Sequence, residues 1–154
     1  MSSEEETLRR LAVELRILED SANAIQSRIN LVNAALAELR IANITLEGLE
    51  KEKEETSLFV PIGGGSYVKA KLESTDTVTV GIGAGVAIER TIKEAKENLE
   101  NRIADLEKTR TTLQQQLTQV VEKIQDGRSK FQELSSKLSR AERPQGVRKA
   151  KRRT

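Results

Sequence analysis

The sequence contains no cysteine, no histidine and no tryptophan, and its 154 positions hold only two prolines and three aromatic residues, Phe59, Tyr67 and Phe131. Without thiols and imidazoles there is no disulfide framework, no thiol nucleophile, no histidine acid-base pair and none of the usual zinc ligand sets. The carboxylates, lysines and hydroxyls that remain form no convergent set of nucleophile and base, so no catalytic residue, metal ligand or cofactor is expected. Aromatic rings supply much of an ordinary core, and their scarcity argues against a compact globule. No apolar run approaches a membrane span. Met1 to Glu6 lack the basic start and apolar stretch of a secretory leader, so the chain reads as cytosolic.

What is present is 36% apolar and 32% charged residues, the composition of a long helix or coiled coil. The net charge of +2 is uneven: from Arg140 onward seven basic residues face the single acid Glu142, which leaves residues 1–139 at −4. Six of the nine glycines fall between Gly63 and Gly85, and the prolines stand at 61 and 144, so the flanking stretches are nearly free of helix breakers. The chain divides into a helical segment 1–55, a glycine-containing centre 56–90, a second helical segment 91–141 and a basic tail 142–154.

In the first segment Leu8, Leu11, Leu15, Leu18, Ala22, Ile25, Ile29, Val32, Leu36 and Leu39 follow one another at alternating steps of three and four. Against the 36% apolar background, ten hits in one frame have a chance on the order of 4 in 100,000, so the heptad stands. The frame continues to Asn43 and Leu46. A lone seam Asn either fixes register at some cost in stability or marks a seam loosening near the helix end. Ser3 and Glu6 have capping-box spacing, as do Thr91 and Glu94 at the start of the second segment. The second seam runs Ile92, Lys96, Leu99, Ile103, Leu106, Arg110, Leu113, Leu117, Val120, Ile124, Gly127, Phe131, Leu134 and Leu138, interrupted at Lys96, Arg110 and Gly127. At about 1.5 Å per residue both segments are rods of roughly 70 to 80 Å. Their similar lengths suggest an antiparallel pair with Leu11 near Leu134 and Leu15 near Phe131. Separate parallel coiled coils and one continuous rod remain as alternatives, because heptads do not fix orientation.

Across the centre the period changes from 3.5 to 2, the mark of strand replacing helix. Leu58, Val60 and Ile62; Val68, Ala70 and Leu72; Val78 and Val80; and Val86 and Ile88 form the apolar faces of four short strands. Glycines 63–65 and the run Gly81-Ile82-Gly83-Ala84-Gly85 serve as hairpin turns. The spacing of Gly81, Gly83 and Gly85 does not make a nucleotide site, since the third glycine comes too early, no Lys follows and a further strand intervenes. Two hairpins with nothing to cover their apolar face are marginal in water. They need other chains, and a larger closed sheet also removes the hazard of open edges. The expected fold is α+β: a long antiparallel two-helix coiled coil whose two central β-hairpins join an oligomeric β-barrel.

The run Val60-Pro61-Ile62-Gly63-Gly64-Gly65-Ser66-Tyr67-Val68-Lys69-Ala70 and the run Val80-Gly81-Ile82-Gly83-Ala84-Gly85-Val86, set between two heptad segments, resemble the two hairpins of the α-class subunits of archaeal-type prefoldin. The resemblance covers nearly everything before the tail. It implies a heterohexamer of two α-class and four β-class subunits, with a double β-barrel platform and coiled-coil tentacles. It further implies an ATP-independent holdase that captures non-native polypeptides at the tentacle ends and delivers them to a group II chaperonin. On that reading the client-binding tips comprise Leu8, Leu11, Leu15, Leu18, Ile124, Phe131, Leu134 and Leu138 on the seam, with Val13 and Ile17 off it. The strand-face residues named above form the subunit interface. The tail residues Arg148, Lys149, Lys151, Arg152 and Arg153 are outside the family pattern. They read as a disordered solubilising end, as a contact for an acidic patch on a chaperonin, or as a nucleic-acid tether acting by counterion release, which is the rival function.

Overall fold

The computed structural model describes residues 2–143; the expectations for the basic tail from Pro144 onward lie outside the described residues. Helix α1 spans Ser3–Glu50, and four strands follow: β1 (Ser57–Gly63), β2 (Ser66–Lys71), β3 (Thr77–Gly83) and β4 (Val86–Thr91). Helix α2 spans Ile92–Glu142. β1 pairs only with β2 and β3 only with β4, giving two separate antiparallel hairpins.

The helix starts follow from their caps. At α1 the cap is Ser2, one residue before the expected Ser3: its Oγ accepts the Glu5 amide at 3.2 Å and its carbonyl accepts the Glu6 amide. Glu4, Glu5 and Glu6 then place negative charge on the first turn. At α2 the capping box closes reciprocally, the Glu94 amide donating to Thr91 Oγ1 at 3.1 Å and the Thr91 amide to Glu94 Oε2 at 3.3 Å. α1 ends at Glu50 rather than near 55. Beyond Gly48 its bonds tighten to three-residue spacing, from the Lys51 and Glu52 amides to the Gly48 and Leu49 carbonyls.

The described residues pack as two units, one of residues 2–28 with residues 113–143 and one of residues 29–112. In each, α1 and α2 run antiparallel. Within the first unit Glu4 pairs with Lys137 at 3.2 Å and Glu19 with Arg128 at 2.7 Å. Within the second, Arg40 pairs with Glu107 at 2.7 Å and Glu50 with Lys96 at 3.4 Å. Partner numbers fall on α2 as they rise on α1, which decides against parallel coils and against a single rod.

Every heptad position named above is buried or half-buried. The second unit is the better sealed, with Ile29, Leu36, Leu39, Ile92, Ala95 and Leu99 buried; in the first, Leu113 and Ile124 are. The three interruptions of the α2 seam are each accommodated locally. The Lys96 ammonium reaches Glu47 and Glu50, and Arg110 donates to Asn33 Oδ1 at 3.4 Å, so each cation lies on the seam by its stem and ends on a polar partner. Gly127 leaves room for Leu15, whose Cδ2 lies 2.9 Å from where a Cβ at 127 would stand. Leu15 thus sits against Gly127, one turn along α2 from the expected Phe131.

Candidate functional site

The two hairpins are one design used twice. In the first, Val60 faces Val68, Pro61 faces Tyr67 and Gly63 faces Ser66, leaving Ile62 as an extra residue between two paired neighbours. In the second, Val80 faces Ile88, Gly81 faces Ala87 and Gly83 faces Val86, leaving Ile82 in the same place. Each turn has two central residues at positive φ, Gly64 (58°) with Gly65 (75°) and Ala84 (51°) with Gly85 (73°), as a type I′ turn requires. At an offset of twenty the second hairpin repeats the first at the positions that set its shape: Leu58 and Val78, Val60 and Val80, Ile62 and Ile82, Gly63 and Gly83, Gly65 and Gly85.

This geometry leaves much apolar surface uncovered. Of the strand-face residues, Leu58, Ala70, Leu72, Val78, Val80 and Ile88 are half-buried, whereas Val60, Ile62, Val68 and Val86 are exposed. Leu72 falls just after β2 and still holds the sheet, its amide bonding the Thr56 carbonyl at 2.9 Å and its carbonyl accepting from Glu55 at 2.7 Å. The bulges turn Ile62 out of the alternation expected from its position. Ile82, which period-2 reading assigns to a turn, is an exposed apolar residue at the equivalent point. On the opposite face of the first hairpin, exposed Phe59 and Tyr67 meet edge to face with ring centroids 6.5 Å apart. The pairing leaves one edge of each strand without a strand partner, and those edges carry backbone donors and acceptors. β3 also closes one side of an apolar groove of about 500 Å³, with Val78, Val80 and Gly81 facing Leu39, Ala42 and Leu46 of α1 and Ala95 and Leu99 of α2.

In the unit formed by the helix ends, Leu8, Leu11, Leu15, Leu18, Phe131, Leu134 and Leu138 are half-buried, and Ile124 is buried. Leu11 and Leu134 line one shallow cleft together, as the expected pairing requires. Val13 and Ile17, the two residues off the seam, are both 59% exposed.

Among the described residues no helix is long and apolar enough to cross a membrane, and no group of acidic residues is placed to hold a metal ion.

A family model described as prefoldin subunit matches residues 18–137, which take in both hairpins and most of each helix. The chain belongs to the prefoldin family. It is 33% identical over 140 residues to a prefoldin subunit alpha of Pyrococcus horikoshii, covering 90% of this chain and 95% of that relative. It is 37% identical over 113 residues to a prefoldin subunit alpha of Methanopyrus kandleri, covering 73% and 72%. Among solved structures it is similar to a filamentous prefoldin from Methanocaldococcus jannaschii seen by cryo-electron microscopy, with a TM-score of 0.65 and 28% identity over 75% of this chain and 95% of that one. The crystal structure of a prefoldin β subunit from a Thermococcus strain shares the fold, with a TM-score of 0.56 at 16% identity over 90% and 95% of the two chains. The doubled hairpin and the paired heptad helices are therefore prefoldin elements, and the chain is a prefoldin chaperone subunit.

Proposed function

We propose that this prefoldin subunit is a nucleotide-independent holdase that assembles with β-class subunits through its hairpins, captures non-native polypeptides at its helix ends and passes them to a group II chaperonin. The observation that carries the reading is the pair of separate two-stranded sheets, each with unpaired edges and exposed apolar residues. Two-stranded hairpins are marginal alone, and strands from other chains satisfy their edges and cover Val60, Val68 and Val86 in one step. No step in such a mechanism needs an acid, a base or a cofactor. Capture then rests on Val13 and Ile17, which are exposed as folded, and on the half-buried seam leucines around them. Several weak contacts from several subunits hold a client by effective concentration.

The test mixes the chain with a β-class subunit, measures the assembled mass, and follows aggregation of a urea-unfolded enzyme without nucleotide. A hexamer that suppresses aggregation is expected, and Val13→Ser with Ile17→Ser should weaken suppression without changing the mass. A stable monomer indifferent to unfolded protein would overturn the proposal.

A further inference from the structure

Residues 29–46 of α1 carry only two charged side chains, Glu38 and Arg40, in a chain that is 32% charged. The seam at Ile29, Leu36 and Leu39 accounts for one face of this stretch. It does not account for Leu31, Ala34, Ala37, Ile41, Ile44 and Gly48. At about 100° per residue, these steps of three and four place the six on the side away from the seam. Leu31 is 72% exposed, Ile41 64% and Ile44 67%, and nothing of the chain lies within 4 Å of where a Cβ on Gly48 would stand. Of the polar groups beside them, Arg40 is held by Glu107 and the Thr45 hydroxyl donates to the Ile41 carbonyl at 2.9 Å, while exposed Glu38 stands at the rim next to Leu31. α2 has no counterpart, its one exposed large apolar residue being Val121. A helix apolar on both sides is ordinarily a covered helix.

We infer that this outer face of α1 is a second client-contact surface, which takes short apolar segments of non-native polypeptide. The inference rests on the client-holding reading above and extends it from the helix ends to the part of α1 that packs beside β3. The choice of occupant follows from size and chemistry. From Leu31 to Gly48 the face is about 26 Å long and on the order of 10 Å wide, roughly 300 Å², well short of the about 800 Å² per partner that a stable interface needs. Its single charge, Glu38 at the rim, is too little to fix one partner in one register. Ala34 and Ala37 leave a hollow between Leu31 and Ile41, and Gly48 another beyond Ile44, into which side chains of varied shape fit. Weak, non-directional contact suits an unfolded segment and not a subunit.

The experiment places a benzophenone amino acid at Ile41, at Val13 and at exposed Gln116 of the full-length chain in the assembly it forms. Each protein is irradiated with urea-unfolded or native labelled α-lactalbumin. The expected result is a crosslink from positions 41 and 13 to the unfolded protein alone, and none from 116. The pair Ile41→Lys and Ile44→Lys should lower the captured amount about twofold, as one contact among several, at unchanged assembled mass. Crosslinking from 13 but not 41 overturns the second surface and leaves the helix ends as the client site. Crosslinking from 41 to another subunit makes the face an assembly interface and overturns it also, as does equal labelling from 116. Silence at both 13 and 41 overturns client holding itself.

Discussion

Asn43 occupies a seam position of α1, half-buried, and its side-chain oxygen is buried without a hydrogen-bond partner. Its neighbours on the seam, Leu39 and Leu46, are buried and half-buried, so the seam has not ended there and a loosening helix end does not explain the Asn. A desolvated, unpaired carbonyl costs stability, and Asn43→Leu should raise the unfolding free energy by about 1 kcal/mol, read from the denaturant midpoint at constant slope. An unchanged or lower midpoint would mean that the amide finds a partner in solution. The three seam breaks differ in how far sequence exposes them. Lys96 and Arg110 are legible as long stems with polar ends, because their acidic or amide partners are long-range but their behaviour is generic. The role of Gly127 is not legible, since it depends on which α1 residue comes opposite, and a heptad leaves that register open by a turn. Leu15 is the residue that fills the gap.

At the scale of elements, both helices and all four strands are readable in the sequence, because the apolar period switches cleanly from 3.5 to 2 and back. Boundaries are less so. The cap at Ser2 and the stop at Glu50 depend on which of adjacent candidates makes the bond, and Ser2 and Ser3 are chemically the same. The bulges at Ile62 and Ile82 are hidden because strict alternation has no place for an extra residue, although the repeat at an offset of twenty marks them once the two hairpins are aligned. That alignment also picks out Ala84, which adopts φ 51° where its counterpart is Gly64. A left-handed backbone costs a residue with a Cβ roughly 1 kcal/mol, part of which glycine returns in unfolded-chain entropy. Ala84→Gly should therefore stabilise the second hairpin by about 0.5 kcal/mol, seen as slower amide exchange in β3 and β4 and not in β1 and β2. Faster exchange would show that the Ala methyl makes a contact that matters.

For the whole molecule, the helices have their own seams while the proposed assembly falls to the hairpins, so damage to the two should separate. Val60→Asp combined with Val80→Asp puts charge at equivalent points of both hairpins, each within a valine or isoleucine cross-strand pair. The assembled mass should fall to that of single subunits, with the helical signal in the far ultraviolet retained. Retention of the full mass would remove the strands from the assembly. Family and fold were accessible from the sequence because the glycine runs and heptads carry them together. The outer face of α1 is less legible, because the seam by itself already accounts for an amphipathic helix. Scarcity of charge between residues 29 and 46 was the available sign.

On the proposed assembly, two copies of one hook on a single chain make that chain bivalent. A piece with one hook ends a growing assembly wherever it attaches, but a piece with two joins its neighbours and hands growth onward. Whether such growth stops at a closed ring or runs on then depends on the angle between the hooks, which are joined in this chain by the connector from Leu72 to Asp76, where Ser74 Oγ accepts the Asp76 amide at 3.1 Å.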